Sequence, residues 1–311
     1  MSDVELSGVI DGRFEIAGAA ESGGMGMVYR AVDRHDGATV ALKVLHAEAE
    51  EQVGRFAREA KLLSELAHPG IVRFVSHGMA GERPYLVMEW LEGETVAERL
   101  ERELLTIGEA LTLGARVADA LGAAHARGVV HRDLKPGNIF LVDRSVDRVK
   151  LLDFGIASAR GRGGDLTDTR TVLGTPGYMA PEQIRSSRDA SAAADVFALG
   201  CVLFKSLSGL IPFEGRNTLD LVMTMMTQLP TPITFVRSDA TRELEELLTR
   251  MLDREPENRP QDGAEAAKLI RRVAAERAKK NPPSERPKPP SVTGKGAPTA
   301  VTRVLGGGNR A

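Results

Sequence analysis

One cysteine, Cys201, stands in the 311 residues, so the chain cannot close a disulfide on itself, a usage that fits a reducing compartment. It lies in the apolar stretch from Val196 to Leu207, which reads it as a packed thiol, not a reactive one. No run approaches the roughly 18 consecutive apolar residues of a membrane-spanning helix. The start, Met1-Ser2-Asp3-Val4-Glu5, lacks the basic and apolar regions of a secretory signal. The expectation is a soluble, cytoplasmic protein with no transmembrane segment. Net charge is nearly absent as well. A formal charge of −2 speaks against nucleic-acid binding through bulk electrostatics. No internal repeat is apparent, and no His/Cys cluster has metal-ligand spacing.

What remains is an ordinary globular composition, 42% hydrophobic and 27% charged. The length holds one large two-lobed domain or two ordinary ones. Residues 1–13 read as a polar lead-in, and Phe14 to about Trp90 looks strand-rich. Residues 28–32 and 39–44 are apolar or β-branched runs separated by a turn at His35-Asp36-Gly37. The helical spacing of Phe56, Ala60, Leu63, Leu66 and Ala67 interrupts them before His68-Pro69-Gly70. Two more strands are expected over 71–75 and 85–88.

After Gly93 the pattern turns helical. Thr106 and Glu109 suit a capping box, and Leu111, Ala115, Ala118, Leu121 and His125 repeat at helical spacing. The stretch from Asp195 to Ser208 is apolar nearly all round, which predicts a helix buried in a core. Further helices are expected over 244–252 and 264–278. Between Arg277 and Ala311 eight Lys/Arg face one acid, and beyond Lys280 stand six prolines and few apolar anchors. Such a segment cannot bury enough surface to offset its ordering entropy. Residues 281–311 therefore read as a disordered basic tail, a solvated linker in preference to a docking arm for an acidic partner or a membrane surface.

The chemistry concentrates in one stretch. His131-Arg132-Asp133-Leu134-Lys135-Pro136-Gly137-Asn138 is followed, fifteen residues after Asn138, by Asp153-Phe154-Gly155. A carboxylate, a lysine, an amide and a second carboxylate in that order suit phosphoryl transfer from a nucleotide. One carboxylate accepts the hydrogen bond of the attacking hydroxyl, while the amide oxygen and the other carboxylate hold divalent metal against the phosphates. The spacing predicts a loop between strands, with Val129-Val130 before it, 139–142 after it, and 149–152 leading into Asp153. Taken together, these motifs resemble the eukaryotic-like (Hanks-type) serine/threonine protein kinases of bacteria, over about Phe14 to Val273.

The resemblance implies an α+β, two-lobed protein-kinase fold. A small β-rich N-lobe with one key helix would cover about 14–90, and a larger, mainly helical C-lobe about 91–273. It implies ATP and Mg²⁺ as cofactors, with Mn²⁺ able to stand in. Asp133 would orient and deprotonate the substrate hydroxyl, Lys135 would neutralise the transferring phosphoryl group, and Asn138 and Asp153 would hold the metal. The glycine-rich nucleotide loop, which includes Gly24, meets the family pattern at Gly23, Gly26 and Val28, but Glu21 stands where the family's first glycine belongs. Lys43 would contact the phosphates, paired with Glu59. Adenine would lie against Ala41 and Met88, with the backbone of Glu89 and Leu91 as hinge and Trp90 packing beside it. His131 and Phe154, with Leu63 and Phe74, resemble a hydrophobic spine between the lobes.

Gly155 opens a segment closed by Ala180-Pro181-Glu182, which favours a protein substrate over a small molecule. Lys135 and Thr175 follow the serine/threonine pattern, and Glu182 would pair with Arg259 while Asp195 keeps a structural place. Thr167, Thr169 and Thr171 are the candidate phosphorylation sites, with Arg132 available to hold the phosphate; Ser291, Thr293, Thr299 and Thr302 of the tail are further candidates. Implied partners are protein substrates and phosphothreonine-reading, forkhead-associated proteins, and a homodimer is left open. The rival reading is a pseudokinase scaffold that binds nucleotide without turnover. Glu21 alone favours it.

Overall fold

The computed structural model describes residues 8–18, 21–23, 26–45, 64–81, 83–154, 176–185 and 191–280. Its first part is a sheet of seven strands: β1 (Val9–Ile10), β2 (Phe14–Ile16), β3 (Glu21–Gly23), β4 (Gly26–Asp33), β5 (Thr39–Leu45), β6 (Phe74–Ala80) and β7 (Arg83–Glu89). The order is β1-β2-β4-β5-β7-β6, with β3 on β4. Alternation decides which side chain goes where. Val40, Leu42 and Val44 of β5 pack on one face with Phe14, Tyr29, Tyr85 and Val87. Ala41 of the same strand points the other way, into a cluster with Val28, Leu86 and Met88. Lys43, two residues on, shares that second face.

The second part begins with β8 (Gly93–Thr95) and the helix α1 (Val96–Arg102), which opens on a capping box of Thr95 and Glu98. The long helix α2 (Ile107–His125) carries the expected box of Thr106 and Glu109. A small sheet of β9 (Ile139–Val142) and β10 (Val149–Leu151) with β8 follows. Then come α3 (Pro181–Arg185), α4 (Ala192–Ser208), α5 (Thr218–Thr227), α6 (Ile233–Val236), α7 (Arg242–Met251) and α8 (Gly263–Lys280). The chain is α+β, strand-rich first and helical after. As its composition predicts, α4 is buried on nearly every side, and Cys201 lies in it fully enclosed, where burial pushes the thiol pKa up.

Two strand expectations need correction. Val129-Val130 is not a strand, because the chain there is leaving α2: the Val129 N–H still bonds Ala124 O at 3.0 Å. The strand expected over 71–75 instead runs from Phe74 to Ala80. Ile71 makes one parallel bridge to Leu151, and the Val72 N–H bonds Leu151 O at 3.0 Å, so this pair is taken by the small sheet. The true strand was hidden by Ser76-His77-Gly78, which suit an edge strand in part open to water. The helix expected over 56–67 falls almost wholly outside the described residues.

α2 and α8 cross closely because glycines face each other. A Cβ on Gly263 would stand 2.3 Å from Gly122 N and 2.4 Å from Ala118 O. Backbone cannot move aside as a side-chain tip can. Gly263→Ala is therefore expected to destabilise the fold by about 1–3 kcal/mol, read as a lowered Tm in calorimetry; an unchanged Tm would show that the crossing has slack.

Candidate active site

The two parts meet at a cleft. Its apolar lining is the cluster of Val28, Ala41, Leu86 and Met88 from the large sheet with Val72, Leu91, Phe140 and Leu152 from beyond it; Phe74 and Trp90 pack against the rim. Register brings these together, since Ala41 pairs with Met88 and Val28 with Lys43. The slot is apolar, and Trp90 and Leu91 of the β7–β8 connection belong to its surroundings. Arg30 lies over the Trp90 ring at 5.1 Å.

Beside this slot the charged groups gather. Lys43, 6% exposed, places Nζ 2.6 Å from Asp153 Oδ1. The Asp133 carboxylate accepts from Lys135 Nζ at 2.9 Å and from Asn138 Nδ2 at 3.1 Å, and the same Nδ2 donates to Asp133 O at 2.7 Å. Leu152 N–H bonds Asn138 O at 2.9 Å, so the loop carrying Asp133 and the turn carrying Asp153 are stitched to each other. His131 is fully buried, with Nε2 2.9 Å from Leu152 O and its ring 4.6 Å from that of Phe154.

The loop is held in a conformation that it would not choose alone. Arg132 (φ 67°) and Asp153 (φ 51°) both occupy the left-handed region, which costs a residue with a Cβ of order 1 kcal/mol or more unless its surroundings impose it. Asp195, 1% exposed in the first turn of α4, imposes it on Arg132. Its carboxylate accepts the N–H of His131 at 2.7 Å and of Arg132 at 2.8 Å. His125 Nε2 lies 2.9 Å from the same carboxylate, while His125 Nδ1 accepts the Gly263 N–H at 3.1 Å. The tautomer follows: Nε2 carries the proton. Gln183 closes the other side, donating from Nε2 to Arg132 O at 3.2 Å while its Oε1 accepts the Ala180 N–H. Arg132 Nε has no partner among the described residues.

A second buried node lies behind. Arg259, 1% exposed, meets Glu182 through two parallel bonds of 2.7 and 2.9 Å. It also donates to the carbonyls of Asp253, Arg254 and Ala193 and lies over Phe197 at 4.9 Å.

Of the residues picked from the sequence, Lys43, Asp133, Lys135, Asn138 and Asp153 come together in the cleft, with Val28, Ala41, Met88 and Leu91 as lining. Arg132, Phe154, Glu182, Asp195 and Arg259 form the supporting tier. Gly26 pairs with Leu45 where a Cβ would meet Val44 O at 2.0 Å, and Gly23 pairs with Gly26 across the hairpin. Gly24, Glu59, Leu63, Gly155, Thr167, Thr169, Thr171 and Thr175 lie outside the described residues. Sequence reading missed His125 and Gln183, whose partners are backbone groups and, for His125, a carboxylate seventy residues away, and so leave no mark in a residue pattern.

The donor set suits a hard divalent ion. Asn138 spends its amide N–H on Asp133, which leaves Oδ1 as an oxygen donor next to the turn of Asp153. Among the described residues no three His, Cys, Asp or Glu form a closed metal cluster. Two oxygen side chains with the rest supplied by phosphate and water is the way Mg²⁺ is usually held.

A family model described as "Protein kinase domain" matches residues 17–271. The chain is 34% identical over 310 residues to the serine/threonine-protein kinase pkn2 of Myxococcus xanthus, a match that covers 97% of this chain and 37% of that protein. It is 38% identical over 301 residues to PknA of Mycobacterium tuberculosis, covering 94% of this chain and 67% of PknA. The chain thus spans little more than a third of some curated relatives it matches. The crystal structure of the Mycobacterium tuberculosis PknI kinase domain, C20A mutant, superposes with a TM-score of 0.69 at 27% identity, over 88% of this chain and all of that one. No helix among the described residues is long and apolar enough to cross a membrane.

Proposed function

The chain belongs to the protein kinase domain family, and from that membership and the cleft we propose that it transfers the terminal phosphoryl group of ATP to serine or threonine hydroxyls of proteins. The observation that carries the reading is the convergence of Asp133, Lys135, Asn138, Asp153 and Lys43 at the mouth of one apolar slot. The slot takes the base, with Met88 at its back wall. The Glu89 N–H is already given to Arg73 O at 2.9 Å, so the hinge contacts fall to the Glu89 carbonyl and the backbone of Leu91.

Asp133 accepts the hydrogen bond of the incoming hydroxyl and takes its proton as the phosphoryl group leaves. Lys135, 2.9 Å away, supplies positive charge next to that point. Lys43 is the phosphate-binding cation, which requires it to exchange Asp153 for the nucleotide; Glu59 would be its partner then. Asn138 Oδ1 and Asp153 would hold Mg²⁺, which when bound neutralises and orients the phosphate oxygens. The glycines from Gly23 to Gly26 keep side chains away from the phosphates. The catalytic unit would cover 14–273, divided near residue 90, between the lead-in and the basic tail. Its setting would be the cytoplasm and its partners protein substrates and phosphothreonine readers.

The test is transfer from labelled ATP with Mg²⁺ to the purified chain and to a generic basic protein, with the modified residues mapped by mass spectrometry. Label on threonines of residues 165–171 is the expected result; ATP binding without any label would replace this reading with a scaffold.

Self-phosphorylation there would also regulate the chain. Arg132 Nε is a buried donor with no partner among the described residues, and an oxygen of a phosphothreonine, whose charge at neutral pH is about −1.5 to −2, would satisfy it once brought there. Replacing Thr167→Ala and Thr169→Ala together should lower turnover by about tenfold, the worth of one charge-assisted hydrogen bond. Unchanged turnover in the double variant would discard the switch and leave the transferase reading intact.

A further inference from the structure

One ion pair joins the two parts of the chain away from the reacting groups. Glu89 is the last residue of β7, in the large sheet; Lys150 is the middle residue of β10, in the small one. Lys150 Nζ bonds Glu89 Oε1. The same oxygen accepts the Arg73 N–H at 2.7 Å, and Nζ also reaches Ile71 O at 3.4 Å. Both side chains are only about one-fifth exposed, at 19% and 20%. Two backbone neighbours, Arg73 N–H and Ile71 O, fix the geometry, so this is not a pair of mobile surface charges. Those contribute little because water screens them and their side chains must be ordered.

The position matters more than the strength. The Glu89 N–H is bonded to Arg73 O, so this residue is tied down at both its amide and its carboxylate. What is left is its carbonyl, whose direction is then set. Lys150 stands opposite Phe140 across the β9–β10 ladder, and Phe140 belongs to the apolar slot. Val149 and Leu151 on either side of Lys150 turn into the helical core, so Lys150 faces the hinge. Lys43–Asp153 is a second ion pair across the cleft among the described residues, and bound nucleotide would have to open it. Lys150–Glu89 needs no such exchange.

We propose that Lys150 is a positioning residue for the nucleotide: by holding Glu89 it sets the hinge backbone against which the base is received. This rests on the transferase reading. The test compares the full chain with Lys150→Met, Lys150→Arg and Glu89→Gln, measuring kcat and KM for ATP on a basic protein substrate, ATP binding by calorimetry, and Tm.

Lys150→Met should raise KM and Kd for ATP by about three- to tenfold, the effect of one partly buried pair, with kcat at saturating ATP held within about twofold. Lys150→Arg should restore most of the loss. Glu89→Gln should weaken ATP to the same extent, and adding Lys150→Met to it should do no further harm. If Lys150→Met does not fold, Glu89→Gln and Lys150→Arg carry the comparison alone. Unaltered ATP affinity in an active Lys150→Met protein would overturn the inference and leave the transferase reading standing. So would a loss confined to kcat, or full additivity with Glu89→Gln. A wild-type chain that does not bind ATP would remove both.

Discussion

Asp133→Asn should cost phosphate transfer about 10²- to 10⁴-fold in kcat, the usual contribution of a positioned general base, while ATP affinity changes little. The substitution is chosen to preserve shape. Asn138 holds the Asp133 backbone carbonyl at 2.7 Å as well as its carboxylate at 3.1 Å, so the loop keeps its anchor when the side chain becomes an amide. Asp195 still fixes the neighbouring N–H groups. What disappears is the ability to accept a proton, together with the negative charge that Lys135 answers. A defect in kcat with ATP binding intact is thus the signature of a proton acceptor, whereas a rise in KM alone would mark Asp133 as a binding residue. Turnover within a few-fold of wild type would strip Asp133 of the proton-acceptor role and leave the transferase reading standing on the other groups of the cleft.

How much of this could be read without coordinates differs by tier. The groups in the cleft were legible because their chemistry demands particular side chains at short spacing, and Asp133 to Asn138 is a contiguous loop. Strands β4 and β5 were legible through their apolar, β-branched runs, and α2 through its period and its capping box. The edge strand β6 was not, because half of it meets water and Ser76-His77-Gly78 carries no alternation. Val129-Val130 looked like a strand by composition alone, and the local bond to Ala124 O prevailed.

The supporting tier is the least legible. The strained φ of Arg132 follows from a carboxylate more than sixty residues away, and nothing in the sequence near His131 announces it. The Glu89–Lys150 pair likewise joins residues 61 apart. A charged residue in a strand says only that some partner or water must be found for it.

Arg259→Met tests whether this hidden tier governs the fold. The expected result is a loss of about 3–5 kcal/mol in unfolding free energy, the range for breaking a buried pair by removing one partner. Arg259 is 1% exposed, and its removal strands a Glu182 side chain that is itself only 12% exposed. The carbonyls of Asp253, Arg254 and Ala193 lose a donor at the same time. Methionine fills much of the volume, so the loss measures unpaired charge and not a cavity.

Two further variants separate the causes. Arg259→Lys keeps the charge without the planar fork that meets both carboxylate oxygens, and should recover only part of the stability. Combining Glu182→Gln with Arg259→Met should be less harmful than Arg259→Met alone, since the stranded charge is gone. Denaturant unfolding reads all three, and a wild-type midpoint for Arg259→Met would show the pair to be dispensable. Catalysis should fail before the fold does. Glu182 and Gln183 are neighbours on α3, and Gln183 holds the Arg132 carbonyl. A helix that slips by a fraction of its hydrogen-bond length releases the strained residue beside Asp133 while most of the C-terminal core remains packed.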